Sequence, residues 1–254
     1  MPSVAPSSPS VRKPSPSPSG PPLTVVSEDP LNIEQMLVWV FPTKYLPSHD
    51  QLRYVNSLIE APGLGSRPAF TQWFYSHGAF EAGGTSTQLV VQNNRSHPIR
   101  IIDMNVIKNC QSPLTGTMFF GAGGAVDDTV GLGFNLDSSD TDAERAQGTG
   151  VGQWQPDYFA KYTISIQPGE QQVFDLWAVT SKHACSYRYQ ATVLDGERKV
   201  NQVIEDGHEP FRATALILGT RSWSADYKAV YLGGAGTKTG AFIRVDPATQ
   251  KPLS

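Results

Sequence analysis

The chain has 254 residues, enough for one large domain or two small ones, and a net charge of −3 from 23 acidic and 20 basic side chains. Its lysines and arginines are scattered rather than clustered, so nucleic acid, which needs grouped cations to displace phosphate counterions, is not an expected partner. Charged residues are only 17% of the chain, and 23 glycines with 20 prolines favour short strands and many turns over long helices.

Residues 1–22 are almost entirely proline and serine, with Arg12-Lys13 the only charges. Such a tract has too few apolar side chains to offset the entropy of ordering, and it reads as a disordered stalk. In an extended polyproline conformation it would reach up to roughly 70 Å. The remaining residues, 23–254, read as a single domain. No signal peptide follows Met1, and the longest apolar run, Met36 to Phe41, is far short of the roughly 20 residues that span a bilayer. Two readings follow, a cytoplasmic chain or one whose anchor lies upstream with Met1 an added start, and the Pro/Ser tract favours the second.

One helix is expected. Ser48 with Gln51 three residues on forms a capping-box pattern, Leu52, Val55 and Ile59 follow at helical spacing, and Pro62-Gly63 ends the run, placing the helix near residues 48–60. The other segments alternate with period two or are short apolar runs between turns. The expected strands are 35–41, 69–77, 87–92, 99–108, 117–120, 158–166, 172–180, 185–194, 199–205, 211–218 and 241–245. Gln167-Pro168-Gly169-Glu170 has the chemistry of a type II turn, and Asp195-Gly196 that of a tight hairpin. Together they predict an all-β fold, a β-sandwich of loosely immunoglobulin-like, Greek-key kind. The stretch from Gly121 to Gln155, rich in glycine and aspartate, reads as one long loop and is the first place to expect a recognition surface.

Cys110 and Cys185 each lie at the end of an expected strand. In an oxidising compartment they would pair, closing a loop of about 75 residues and adding roughly 4 kcal/mol in the chain-entropy account. Two buried free thiols are the alternative. A metal site is disfavoured because there is no CxxC spacing. A tyrosine two before the second cysteine would mark a true immunoglobulin domain; His183 occupies that place.

Catalytic patterns are sparse. Gly63-Leu64-Gly65-Ser66-Arg67 lacks the second glycine of a nucleophile elbow. The histidines His49, His77, His97, His183 and His208 fall in five separate segments, and no two or three of His77, His97, His183, His208, Asp103, Asp175 and Asp206 are expected within hydrogen-bond reach of each other. Asp137, Asp140 and Asp142, with Glu144, form a calcium candidate, but Arg145 stands where an EF-hand turn needs glycine. The glycine clusters at 121–124 and 233–236 do not join a strand to a helix, so no dinucleotide or other cofactor is expected. Trp73 and Tyr75, read as sharing a strand face, and Trp223, Tyr227 and Tyr231, four apart, are candidates for stacking on sugars, although aromatic rings more often fill sandwich cores.

Several pieces between about Gln88 and Arg212 combine into a resemblance. They are Leu89-Val90-Val91-Gln92-Asn93 with Pro98-Ile99-Arg100-Ile101, a strand ending at Cys110, Gly133-Phe134-Asn135-Leu136-Asp137, Pro168-Gly169-Glu170, Cys185 followed by Tyr187 and Tyr189, and Asp206-Gly207-His208-Glu209-Pro210-Phe211-Arg212. In this combination the chain resembles a group of uncharacterised membrane-anchored proteins common in actinobacteria. The resemblance implies a β-rich domain outside the membrane and an anchor upstream, and it implies no activity. The expectation is a non-enzymatic, extracytoplasmic binding or structural module of a cell-surface protein, with a protein or cell-envelope partner. The alternative is a carbohydrate- or cell-wall-binding protein with weak hydrolase activity.

Overall fold

In a computed structural model of the protein, the described residues are 20–30, 37–60, 67–122, 130–147, 154–204, 209–219, 222–234 and 237–253. They form an all-β sandwich with three short helices. The elements run β1 (Leu23–Pro30), β2 (Leu37–Val40), α1 (His49–Glu60), α2 (Arg67–Ser76), β3 (Phe80–Ala82), β4 (Gly84–Asn93), β5 (Ile99–Gln111), β6 (Thr117–Ala122), β7 (Val130–Asn135), β8 (Glu144–Gln147), α3 (Tyr158–Lys161), β9 (Ile164–Ile166), β10 (Gln171–Val179), β11 (Ala184–Asp195), β12 (Arg198–Ile204), β13 (Phe211–Thr214), β14 (Ala229–Gly234) and β15 (Gly240–Val245).

The smaller sheet has the order β1-β4-β10-β7-β8. The larger runs β15-β14-β6-β2-β3-β13-β11-β5-β9, with β12 beside the second half of β11. Three pairs are parallel: β7 with β10, β3 with β13, and β6 with β14. Runs of hairpins do not produce such pairs; they need crossover connections.

One face of the larger sheet is covered twice over. Along β5, β11 and β13 it packs on the smaller sheet through Ile99, Ile101, Met104, Tyr187, Tyr189, Val193 and Ala213, which meet Leu89, Val91, Phe134, Phe174 and Leu176. Along β2, β6, β14 and β15 the cover is α1 and α2, whose Val55, Phe70, Trp73 and Phe74 meet Trp39, Phe119, Tyr231 and Phe242. Phe74 stacks on Trp39 at 5.0 Å and meets Phe119 edge-on at 5.2 Å. The opposite face of β2, β6 and β14 is closed by Leu114 and Tyr227, with Leu216, Ile217 and Trp223 beside them.

The helix at 49–60 starts as expected: the Ser48 N–H donates to Gln51 Oε1 at 2.8 Å and the Gln51 N–H to Ser48 Oγ at 3.2 Å. The turn at 167–170 also forms, with Glu170 N–H on the Gln167 carbonyl at 3.0 Å and Gly169 at φ 75°. Other expectations are corrected. Residues 69–77 are not a strand but most of α2, because Phe70, Trp73 and Phe74 stand at i, i+3 and i+4, all on the buried stripe. The segment 158–166 divides into α3 and β9, and the strand at 211 ends at Thr214. The expected loop 121–155 contains β7 and β8. In β7 glycines alternate with core residues: a Cβ at Gly131 would meet Trp177, and one at Gly133 would meet the rings of Trp154. The glycines that suggested a loop are instead the floor on which two tryptophans lie. Of the expected stalk, residues 1–19 lie outside the described residues. Gly20, Pro21 and Pro22 dock on the body, accepting hydrogen bonds from Arg95 Nη2 (2.6 Å), Arg95 Nη1 (3.3 Å) and Asn94 N–H (2.9 Å) respectively.

Two side-chain amides close sheet margins. Asn56 of α1 exchanges two hydrogen bonds with the Phe242 backbone in β15, at 2.7 and 3.2 Å. Gln202 of β12 does the same to Leu23 in β1, at 3.0 and 2.8 Å.

Candidate functional site

A cleft of about 110 Å³ opens where the smaller sheet stops and α2 begins. It is lined by Glu28, Asp29 and Pro30 of β1, Thr71, Gln72 and Tyr75 of α2, Glu81 of β3, Thr85, Ser86 and Thr87 of β4, and Phe211 of β13. The register explains why polar groups collect here. In β1 the pairing shifts between Val25 and Ser27, after which Glu28 lies opposite Leu89, a core residue of β4. Side chains directly opposite in an antiparallel pair share a face, so Glu28 points between the sheets. Glu81 pairs with Trp39 and with Ala213, both of which face the covered side of the larger sheet. Each layer therefore turns one glutamate inward, at the seam between the two covers.

Below them lie buried hydroxyls. Thr85 and Tyr187 share a short hydrogen bond in the interior. Burial above all raises the Tyr189 pKa; the charges of Glu28 and Glu81 push the same way, against hydrogen bonds with Tyr187 and Thr85. Ser86, opposite Trp177 on the other face of β4, is only 5% exposed, and its hydroxyl has no hydrogen-bond partner among the described residues. Behind Tyr75, the Arg212 guanidinium lies 5.0 Å from the ring centroid and donates to the Tyr75 carbonyl at 2.8 Å. A wider, open groove of about 360 Å³ runs between α1 and Ala241, but its central amide, Asn56, is already engaged with β15.

The aromatic candidates separate. Tyr75 lines the cleft. Trp73 does not share its face; it is buried in the helix-covered core, stacked on His77 at 4.5 Å. Tyr231 stacks on Phe119 at 4.5 Å, Tyr227 accepts the Ile217 N–H at 3.0 Å, and Trp223 packs 4.7 Å from Phe120. These four rings are packing elements.

The calcium candidates also diverge. Asp137 accepts from Thr180 Oγ1 (2.7 Å), Ser181 N–H (2.7 Å), Ser181 Oγ (2.9 Å) and His183 Nδ1 (2.9 Å). Burial raises its pKa, and these hydrogen bonds overcome that and hold the carboxyl well below the usual range. Asp140 turns back on its own loop, accepting the Asp142 N–H at 3.1 Å. Asp142 and Glu144 are pushed up, first by burial and then by neighbouring carboxylates, Asp140 and Asp157 among them. Among the described residues no group of three His, Cys, Asp or Glu side chains is placed to hold a metal ion.

Two histidines meet aspartates that the sequence reading did not single out as their partners. His183 pairs with Asp137, and His97 Nε2 lies 2.6 Å from Asp195, which also takes Arg95 Nε at 2.7 Å. Each pair spans a long sequence interval, so spacing gave no sign of it. Ser181 stands beside the first pair, but its hydroxyl donates to Asp137 rather than to the imidazole, which is not the arrangement in which histidine activates a serine. Lys108 completes this knot, donating to the carbonyls of Leu136 (2.8 Å) and Ser138. Next to it, Cys110 and Cys185 are directly opposite in the β5/β11 ladder and joined as a disulfide. Among the described residues no helix is long and apolar enough to cross a membrane. No protein-family model, no curated protein and no solved structure matches the chain.

Proposed function

We propose that this chain is a non-enzymatic binding module working outside the cytoplasm as part of a cell-surface protein, and that the seam cleft is its ligand seat. The observation carrying the reading is the pair of inward glutamates, Glu28 and Glu81, one from each layer, sharing a cleft with Tyr75, Thr71, Thr85 and Thr87. A layered fold normally fills that position with apolar groups, and a concave recess with convergent polar groups is where ligands seat. The compartment is supported by the Cys110–Cys185 disulfide, since such bonds persist in oxidising surroundings. The Pro/Ser tract of residues 1–22 and the resemblance to membrane-anchored actinobacterial proteins point the same way.

Two measurements test the proposal. Thiol titration of unfolded, unreduced protein taken from its native cells should find no free sulfhydryl; two free thiols would refute the compartment. Titration of cell-envelope fragments into 15N-labelled protein should move the amide signals of Thr71–Tyr75 and Thr85–Thr87. A set of fragments that binds elsewhere, or leaves these signals still, would refute the seat. A second reading, carbohydrate binding with weak hydrolysis, is favoured by one observation: the Tyr75 ring and two glutamates share the cleft, and paired carboxylates cleave glycosides. Release of reducing ends from wall polysaccharide, lost in Glu28→Gln and Glu81→Gln, would establish it in place of the first.

A further inference from the structure

We infer that the entry of the chain into the body, Gly20-Pro21-Pro22 with the side chains that hold it, is a joint that takes tension arriving along the Pro/Ser tract and passes it into both sheets, sparing the β1 ladder. This rests on the proposed attachment of the body through its N-terminal side and adds how that attachment is held.

Four successive residues are gripped. Arg95 Nη2 donates to the Gly20 carbonyl at 2.6 Å. Arg95 Nη1 and Asn94 Nδ2 both donate to the Pro21 carbonyl, each at 3.3 Å, and the Asn94 N–H donates to the Pro22 carbonyl at 2.9 Å. Gln202 then holds both backbone groups of Leu23, at 3.0 and 2.8 Å. Proline brings a carbonyl and no N–H, and the body meets the two prolines with donors alone.

These donors are rooted in both sheets. The Arg95 side chain is 8% exposed, and its Nε donates to Asp195 Oδ2 at 2.7 Å, at the end of β11. His97 Nε2 lies on the other oxygen of Asp195 at 2.6 Å. The Arg95 N–H donates to Asn93 Oδ1 at 2.8 Å. Asn93, 3% exposed, donates in turn from Nδ2 to the carbonyls of His97 and Ile166, both at 2.9 Å. The guanidinium therefore cannot swing aside without parting from Asp195, and hydrogen bonds shielded from water in this way are the stronger ones.

The strand just downstream needs such protection. β1 is the edge of the smaller sheet, with β4 as its one ladder partner among the described residues, and that ladder is interrupted between Val25 and Ser27. Of the residues of β1 only Leu23 is buried. An edge strand with so little buried apolar surface opens at low cost, and tension on its first residue would part the ladder one rung after another. At the joint, by contrast, bonds to the β4–β5 turn, to β11 and to β12 yield together. Glu28, Asp29 and Pro30 of β1 line the seam cleft, so a joint that holds β1 still also holds one wall of the seat.

In a single-molecule force experiment the full chain, its disulfide intact, is pulled at constant force between Ser254 and either Met1 or a handle on Lys44→Cys, an exposed position past β1. The first path loads the joint and the second bypasses it. Arg95→Lys keeps the charge and loses the fork that spans Asp195 and the two carbonyls. It should shorten the lifetime of the folded body about tenfold or more through Met1, and less than about twofold through residue 44. Should Arg95→Lys fail to fold, a chain beginning at Leu23 takes its place. Pulled from Leu23, it should part about tenfold sooner than the full chain pulled from Met1, with the path through residue 44 again the control. An unchanged lifetime overturns the inference, because the joint then takes no tension. Equal shortening along the two paths also overturns it, because the contacts would then only stabilise the body. Either result leaves the cell-surface reading standing, since that is decided by the thiols of protein from its native cells.

Discussion

Replacing Asp137 with asparagine should reveal how the crossing between the two sheets is fastened. Asp137 follows β7 of the smaller sheet, and its donors Thr180, Ser181 and His183 form the connection from β10 to β11 of the larger one. Its side chain is 9% exposed and accepts four hydrogen bonds. A hydrogen bond to a charged acceptor contributes about 1.5–3 kcal/mol, and bonds sharing one acceptor do not add fully. Since Ser181 is exposed and His183 is half exposed, we take about 3 kcal/mol for the set at neutral pH. That corresponds to a fall in Tm of about 6–12 °C for a domain of this size.

The pH dependence has a definite sign. The folded pKa of Asp137 lies below that of an unfolded aspartate, so the unfolded chain binds the proton first as pH falls. The stabilisation is fully present above the unfolded value of about 4 and is lost as pH drops toward the folded one. Urea unfolding followed by tryptophan fluorescence should therefore show a difference of about 3 kcal/mol between wild type and Asp137→Asn at pH 7, shrinking steadily below about pH 4. A difference below 1 kcal/mol at pH 7, or one that does not change between pH 7 and pH 3, would refute the reasoning.

Two further changes probe packing and docking. Gly133→Ala would drive a methyl into the Trp154 ring and should cost about 1–3 kcal/mol with an altered near-ultraviolet tryptophan signal; an unchanged spectrum and melting curve would mean that Trp154 does not lie on β7. Removing residues 1–19 should leave Tm within about a degree or two, whereas removal through Pro22 takes acceptors from Arg95 and Asn94 and should cost about 1–2 kcal/mol more. Equal melting of the two truncations would show that the Gly20–Pro22 docking adds nothing.

What the sequence revealed was what depends on neighbours along the chain. The Ser48/Gln51 box, the turn at Gly169 and the hairpin at Gly196 are complete within four residues, so their chemistry is readable in place. Helix α2 was legible in principle: Phe70, Trp73 and Phe74 have helical spacing, but aromatic residues also suit strands, and the period was read as two. The disulfide could be expected as a pair, but not as rungs facing across one ladder. The cleft could not be read at all. Glu28 faces inward only because β1 slips register at Val26, and Glu81 joins it only because β3 is paired with the sequence-distant β13, opposite Ala213. Tyr75 lines the cleft from a helix and not from the strand face on which the sequence placed it.

The amides of Asn56 and Gln202 bear on how copies of this protein behave when packed closely. Each presents one donor and one acceptor at a point where the next strand of a sheet would otherwise attach, and so occupies part of the margins of β15 and β1. At β15 the chain's own end adds a second stop, with Leu253 N–H on the Arg244 carbonyl at 3.0 Å. The margin of β9, by contrast, is three residues long, which gives a neighbouring copy few rungs to add to. Strand-to-strand growth from molecule to molecule is thus opposed at both ends of the larger sheet by different means, one chemical and one by shortness. Loss of either amide should therefore show first as association at high concentration rather than as loss of fold.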